Sequence, residues 1–473
     1  MIIQGPNSTP LVAPISNKEA AAVAQPAAAP AAAPADGVVL SGTNAPAAPA
    51  APAAAPTTGA APADGKPPVK DWTVMVWVAS DNNLYQYQVN NLTDAEKVGT
   101  TPQMNVVAQI SRVPDGGGCQ RIAIEKQPDG NHHSPVLQEL GSTNMGDPKN
   151  LADFIKWTKA NYPANHYMLV LNDHGNGWQG TCEDESHDGW LTLPKLEESL
   201  KEAREATDGK PLDVVGFDAC LMANVETADQ LKDETKYLVG SEETEGGAGW
   251  QYNKVLSGDV LRVANSRLAT REGLSAEQLA KTSVAMAKGD NNDLPTMAAF
   301  DTSKASTVVA ATKAFGDAIV KTNVDSKQLA QVAQATQAYT MEKDLYDFAD
   351  RVSNTLGGSD ANLKSTADTL KTDINSAIIA EQHSSKYPNS HGLTVELNKN
   401  FDSRDFRVNQ DPSLAPVATP NIQFDTYQHT KFDQDTGWDK AVSKIAAGGS
   451  IDNPWGGGGG NSGDCSDSQT AGA

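Results

Sequence analysis

Two side chains stand where a buried run of sequence ends. His174 follows Tyr167–Asp173 (YMLVLND), and Cys220 follows Asp213–Ala219 (DVVGFDA). A thiolate is a strong nucleophile once its proton is removed or its charge is stabilised. An imidazole beside it can take that proton and later give one to a leaving amine. Gly175, next to the histidine, permits close backbone approach and can aim an N–H at a developing oxyanion. Cys220 reads as a strand-to-helix turn, where its own N–H would be available and a helix N-terminus would favour the thiolate. Taken singly, a histidine after a strand is more often a surface residue, and a lone cysteine more often a small buried hydrophobe. The joint placement, each at the end of a buried run, is what favours a His/Cys dyad.

For these side chains to meet, their two runs must be neighbouring parallel strands. The surrounding pattern agrees. Trp72–Ala79, Asn105–Arg112, Gln120–Lys126 and Tyr237–Glu242 also read as strands, most of them continuous apolar runs suited to burial on both faces. Between them lie helical segments at Leu151–Tyr162, with Asp147 or Asn150 as cap, at Pro194–Ala206 and at Met222–Leu231. Such alternation implies βαβ units and an α/β fold, with ligands at the carboxyl ends of the strands. Beyond residue 260 the pattern is mainly helical, with Thr296–Asp301 and His391–Leu397 as further strands.

The motifs YMLVLNDHG and DVVGFDAC resemble those of the clostripain family of cysteine peptidases, which is grouped with caspases, legumain and gingipains. WTVMVWVASDNNL, DLYDFADRV, SHGLTVEL and TGWDKAVSKI resemble the same family in the same order, so the likeness spans roughly residues 71 to 447. It implies a caspase-like α/β/α sandwich with a mostly parallel central sheet, flanked here by disordered termini. It also implies that His174 is the general acid and base, that Cys220 is the nucleophile, and that the N–H groups of Gly175 and Cys220 form an oxyanion hole. Asp218 would face the primary specificity pocket and pair with a substrate Arg or Lys. The plainer alternative for Asp218 is a strand-end or helix-capping carboxylate. The implied partners are peptides or proteins with basic residues, and no organic cofactor is needed for the chemistry. Some family members need calcium, for which Asp184, Glu185 and Asp188 are carboxylates at hand, although no EF-hand pattern is present. The acidic loop Ser241–Tyr252 would form one wall of the pocket, with at least two of Glu242, Glu243 and Glu245 solvated. The rival readings are an inert caspase-fold binding module and an acyl transfer that uses the same dyad.

Composition sets the limits around this body. The chain has 473 residues and a net charge of −22. Residues 20–67 are dominated by Ala and Pro and cannot build a core, and the end of the chain is Gly-rich. The expected division is a disordered arm (1–70), a peptidase domain (71–447) and a disordered tail (448–473). Before residue 71, three Lys balance Glu19, Asp36 and Asp64, and the tail holds only Asp452, Asp464 and Asp467, so the body carries −19. That charge repels nucleic-acid backbones and anionic lipid surfaces. No apolar run reaches the ~18 residues of a membrane span. Four scattered cysteines give no disulfide framework, and Cys119, Cys182 and Cys465 are weaker nucleophile candidates than Cys220. The first residues lack the basic and apolar regions of a Sec signal, which leaves a bacterial protein either secreted by another route or cytoplasmic, expected to be a monomer. Residues 175–194 contain no Lys or Arg, so self-cleavage between the dyad residues is not expected there, whereas Lys70 offers a cut where the arm meets the first strand.

Overall fold

The run Trp72–Val78 is buried along its whole length because β1 (Lys70–Val78) lies in the middle of a sheet covered on both faces. The computed structural model describes residues 67–127, 134–257, 274–287, 294–399, 426–449 and 451. The arm up to residue 66, most of the tail and Cys465 therefore lie outside the described residues. β1 pairs in parallel with β2 (Met104–Ser111) on one side and β5 (Ala164–Asn172) on the other. β5 pairs in parallel with β8 (Leu212–Asp218), and β8 with β9 (Thr235–Gly240). Antiparallel strands close the two edges: β3 (Cys119–Ala123) and β4 (Val136–Gly141) beyond β2, β10 (Thr296–Asp301) and β12 (Ile378–His383) beyond β9. The nine-stranded order is β12-β10-β9-β8-β5-β1-β2-β3-β4. Two small antiparallel pairs lie outside it: β6 (Thr181–Asp184) with β7 (Gly189–Leu191), and β11 (Lys343–Asp344) with β13 (Thr394–Val395).

Successive residues of a strand point to opposite faces, and the central strands supply a separate core to each. Met75, Trp77, Leu169, Leu171, Val215 and Phe217 pack on one side against the helices Pro148–Asn161, Leu193–Glu205, Ala305–Lys321, Leu345–Leu356 and Trp438–Ala446. Val74, Val76, Val78, Met168, Val170 and Val214 pack on the other against Tyr85–Glu96, Tyr252–Ser257 and Ala276–Ala287. Each fully buried Leu, Val, Phe or Met contributes about 1.5–3 kcal/mol relative to exposure, which pins β5 and β8 in place. This is the α/β/α sandwich with a mostly parallel sheet that the sequence implies. Asp147 caps the helix Pro148–Asn161 by accepting from Lys149 N at 2.9 Å.

Two expectations change. His391–Leu397 is not a strand of the main sheet. Gly392 takes a left-handed φ of +86°, and only Thr394–Val395 pairs, with β11. The sheet edge is formed instead by β12, whose residues are half-exposed and so lack a continuous apolar run. Lys70 belongs to β1 and is held there: its Nζ donates to Thr101 O at 2.6 Å and its backbone N–H to Pro163 O at 3.1 Å. A cut after Lys70 would have to open a sheet strand. Past residue 447, Gly448 presses on the Ser326 carbonyl and Ile451 is buried in the core. Among the described residues no helix is long and apolar enough to cross a membrane.

Candidate active site

The register between β5 and β8 sets Asn172 opposite Asp218, and Asp173 N–H donates to Asp218 O at 3.2 Å. Two residues beyond that pair, the chains carry His174 and Cys220. Gly175 lies directly on Cys220: a Cβ built there would fall 2.1 Å from the Cys220 carbonyl oxygen and 3.0 Å from its nitrogen. Only glycine allows this approach. His174 and Cys220 are both nearly buried. The structure thus brings His174, Gly175, Asp218 and Cys220 to one edge of the sheet.

His174 is held from two directions. Its carbonyl accepts from Cys182 N at 3.1 Å and from Thr181 Oγ1 at 2.7 Å, tying it to β6. Its ring Nε2 lies 2.7 Å from Asn83 Oδ1. An amide oxygen can only accept, so Nε2 carries the proton and Nδ1 presents a lone pair. Asn83 belongs to the Ser80–Leu84 segment after β1, which Asn82 fastens by donating to Ala79 O at 2.9 Å and to Asp173 Oδ1 at 2.7 Å. Burial raises the Asp173 carboxyl well above its ordinary range. Sequence reading quoted this segment without giving Asn83 a role. The signal available was an amide-rich stretch at a strand's carboxyl end, next to the strand that carries the histidine.

Cys220 is not at a helix N-terminus, contrary to expectation. The following helix begins at Val225, capped by Asn224, whose side chain accepts from Thr227 N at 2.7 Å. Leu221 takes a left-handed φ of 66°, and its N–H donates to Glu243 O at 3.2 Å. The thiol instead receives the Glu245 N–H at 3.3 Å. Left-handed non-glycine residues cost roughly 1–3 kcal/mol and persist where the surroundings enforce them. Two of the three among the described residues, Cys182 and Leu221, flank the dyad.

Asp218 is fully buried and strongly held. It accepts from Trp250 N at 2.9 Å, from Tyr252 OH at 2.8 Å and from Asn172 Nδ2. Burial pushes its carboxyl up to about 6. Beside it is a narrow cavity bounded by Asn91, Asn172, Cys220, Glu245 and Gly249, with a volume of about 30 Å³. That is room for a water or two. Gly249, with φ +59°, closes over the carboxylate; a Cβ there would meet Asp218 Oδ1 at 2.6 Å. The three glutamates of this loop are all buried, which corrects the expectation that at least two are solvated. Glu242 accepts from Ser390 Oγ, Glu243 from Tyr387 OH at 2.7 Å, and Glu245 sits against Asp218. Burial first, and the Asp218 charge second, raise Glu245 well above the ordinary carboxyl range. The remaining described thiols are ill suited to attack. Burial pushes Cys119 up to about 12, and burial with the Asp173 charge raises Cys182 well above its ordinary value.

Residues 76–445 match the sequence model of the clostripain family. Clostripain of Hathewaya histolytica is 26% identical over 224 residues, which are 39% of this chain and 41% of that protein. The match thus spans about two fifths of that relative's length. Among solved structures, a secreted C11 cysteine protease from Bacteroides thetaiotaomicron, iotapain, superposes with a TM-score of 0.55 at 14% identity, over 70% of this chain and 94% of its own. An inactive zymogen C11 protease from Parabacteroides distasonis gives 0.55 at 16%, over 78% and 99%. A complex of the Bacteroides thetaiotaomicron enzyme with an irreversible peptide inhibitor gives 0.53 at 17%, over 78% and 99%. At these identities the solved structures speak for the fold.

Proposed function

Because this chain belongs to the clostripain family of cysteine peptidases, we propose that it hydrolyses peptide bonds through the thiolate of Cys220, with His174 as general acid and base. The observation that supports this reading is the β5–β8 register, which brings the ends of the two strands that lead to His174 and Cys220 together, with Gly175 close against the Cys220 backbone. Nδ1 of His174, with Nε2–H given to Asn83, takes the thiol proton. The thiolate adds to the scissile carbonyl, and the oxyanion is met by the N–H groups of Gly175 and Cys220. His174 gives the proton to the leaving amine, then takes one from water, whose oxygen adds to the thioester carbonyl and displaces the Cys220 sulfur, which takes that proton back as the acid product leaves. These residues would complete the cycle without an organic cofactor.

For specificity, we read Asp218 as the base of the pocket beside Cys220. A carboxylate there pairs with the charge of an Arg or Lys side chain. Glu245 stands next to it, but burial and the Asp218 charge favour its neutral form, so Asp218 is the charge of the pocket. Entry of so long a side chain requires the Glu245–Gly249 segment to move, because the cavity has room for only a water or two. Fluorogenic peptides ending in Arg, Lys, Asn or Asp, tested on the native protein and on Cys220→Ala, decide the matter. The expected result is cleavage after Arg or Lys that disappears in Cys220→Ala. Absence of any Cys220-dependent cleavage would leave a binding module, and cleavage after Asn alone would remove Asp218 from the pocket role.

A further inference from the structure

Outside the dyad, one cluster collects metal-binding groups: Asp81, Asp184 and His187 each offer a ligand atom, and these atoms all lie within 4.8 Å of one another. Two of the three have an ordinary explanation. Asp184 caps the turn Glu185–His187, accepting from His187 N at 3.1 Å, and its Oδ1 lies 2.7 Å from His187 Nδ1. Asp81 does not fit that explanation. It is 5% exposed and its carboxyl meets Ser186 and the fully buried Asp184, yet its Oδ2 is buried with no hydrogen-bond partner beside that second carboxylate. Two carboxylates buried together with an oxygen unsatisfied is a costly arrangement, and a cation between them removes the cost.

We propose that Asp81, Asp184 and His187 form a site for a divalent transition-metal ion, with Zn²⁺ as its best fit. A nitrogen and two carboxylate oxygens at ~2.0–2.2 Å, with water completing four positions, is a zinc donor set. Calcium fits poorly. It takes about 6–8 oxygen ligands, the third donor here is an imidazole nitrogen, and Glu185 and Asp188 sit exposed outside the cluster. The outer contacts are in place. His187 Nε2 lies 2.8 Å from Ser142 Oγ, a hydroxyl that can accept an Nε2–H once Nδ1 holds the ion, and Met145 N–H donates to Asp184 Oδ2 at 2.7 Å. On binding, Nδ1 would exchange its contact with Asp184 Oδ1 for the metal bond, and the single proton of the neutral ring would sit on Nε2.

The location gives the ion its role. Asp81 is two residues before Asn83, the partner of the His174 ring, and Asp184 ends β6, whose Cys182 holds the His174 carbonyl. Asp81 O already accepts from Glu185 N at 2.9 Å. The ion would fasten the two segments that hold His174, acting as a positioning element for the dyad; this role, though not the site itself, rests on the peptidase reading.

The test uses tag-free full-length Cys220→Ala protein stripped with EDTA, so that no catalytic thiolate competes for metal. ZnCl₂, MnCl₂ and CaCl₂ are added separately, followed by gel filtration, metal analysis and thermal unfolding. One zinc retained per chain and a raised Tm are expected. Asp81→Asn and His187→Ala should each weaken zinc binding by roughly tenfold or more and erase the Tm rise. Asp81→Asn should leave the metal-free Tm unchanged or higher, since it removes one of two crowded charges. No zinc retained, zinc retained equally by both variants, or calcium bound in preference to zinc would each overturn the assignment. None of these readouts depends on peptide cleavage.

Discussion

Gly175→Ala is the sharpest perturbation of the catalytic geometry. The added Cβ would lie 2.1 Å from the Cys220 carbonyl oxygen, where ordinary contact begins at 3.4 Å, so Gly175 and Cys220 must separate by about 1.3 Å. Both residues are fastened, Gly175 through its bridge to Thr181 and Cys220 through the hydrogen bond from Glu245 N. The separation therefore falls on the two N–H groups proposed to receive the oxyanion. A misplacement of ~1 Å can cost ~10²-fold in rate, and loss of one oxyanion donor costs ~10²–10³-fold, or about 2.7–4 kcal/mol. The expected outcome is a drop of that size in kcat, with KM for an Arg peptide much less affected. The assay is steady-state cleavage of a fluorogenic Arg peptide, with thermal unfolding run alongside to show that the variant is folded. A folded Gly175→Ala enzyme within about threefold of native kcat would refute the argument, because the contact would then be harmless to the donors.

Further expectations concern the groups around the dyad. Asn83→Ala removes the 2.7 Å contact that fixes the His174 ring; kcat/KM should fall ~10–100-fold and the pH–rate profile should shift, whereas an unchanged profile would free Asn83 of a positioning role. Asp218→Asn should cost ~2–5 kcal/mol in kcat/KM for Arg peptides and spare citrulline peptides, and an equal loss for both would contradict charge pairing. Burial disfavours the Asp218 anion, so in the free enzyme it takes up a proton as pH falls through about 6. The Arg-to-citrulline ratio of kcat/KM should therefore rise as pH increases through that value and level off above it. A ratio that stays flat would place another group at the pocket base. In native protein, Cys119 and Cys182 should resist alkylation because both are buried and their thiols are pushed up; peptide mapping after iodoacetamide treatment checks this.

The sheet centre was legible because β1, β2, β5, β8 and β9 carry near-continuous apolar runs, and burial on both faces is the only use for such runs in a sheet. β4 and β12 were not legible, since edge strands expose half their residues and lose that pattern. The placement of His174 and Cys220 beyond the ends of two neighbouring strands was legible from position alone. Its support was not. Asn83 lies 91 residues from His174, and nothing local marks it as a ring partner. The glutamates of the Ser241–Tyr252 loop read as solvated because charge in a loop usually is. Their hydroxyl partners Tyr387 and Ser390 come 144 and 148 residues later, and only the fold brings them under the loop.

The closed cavity beside Asp218 also turns occupancy into selection. While the Glu245–Gly249 segment lies over the carboxylate, only the fraction of molecules with that segment displaced can admit a side chain. Apparent affinity falls by that fraction, so each ~1.4 kcal/mol favouring closure weakens every peptide about tenfold. On the proposed pocket role of Asp218, a guanidinium would offset the loss by meeting its carboxylate. A small apolar side chain has nothing there to meet and suffers the whole loss. Discrimination against neutral residues would then reside in the resting equilibrium of a glycine-rich segment as much as in the shape of the pocket, and a mutation that holds the segment open should raise cleavage of poor substrates more than that of good ones.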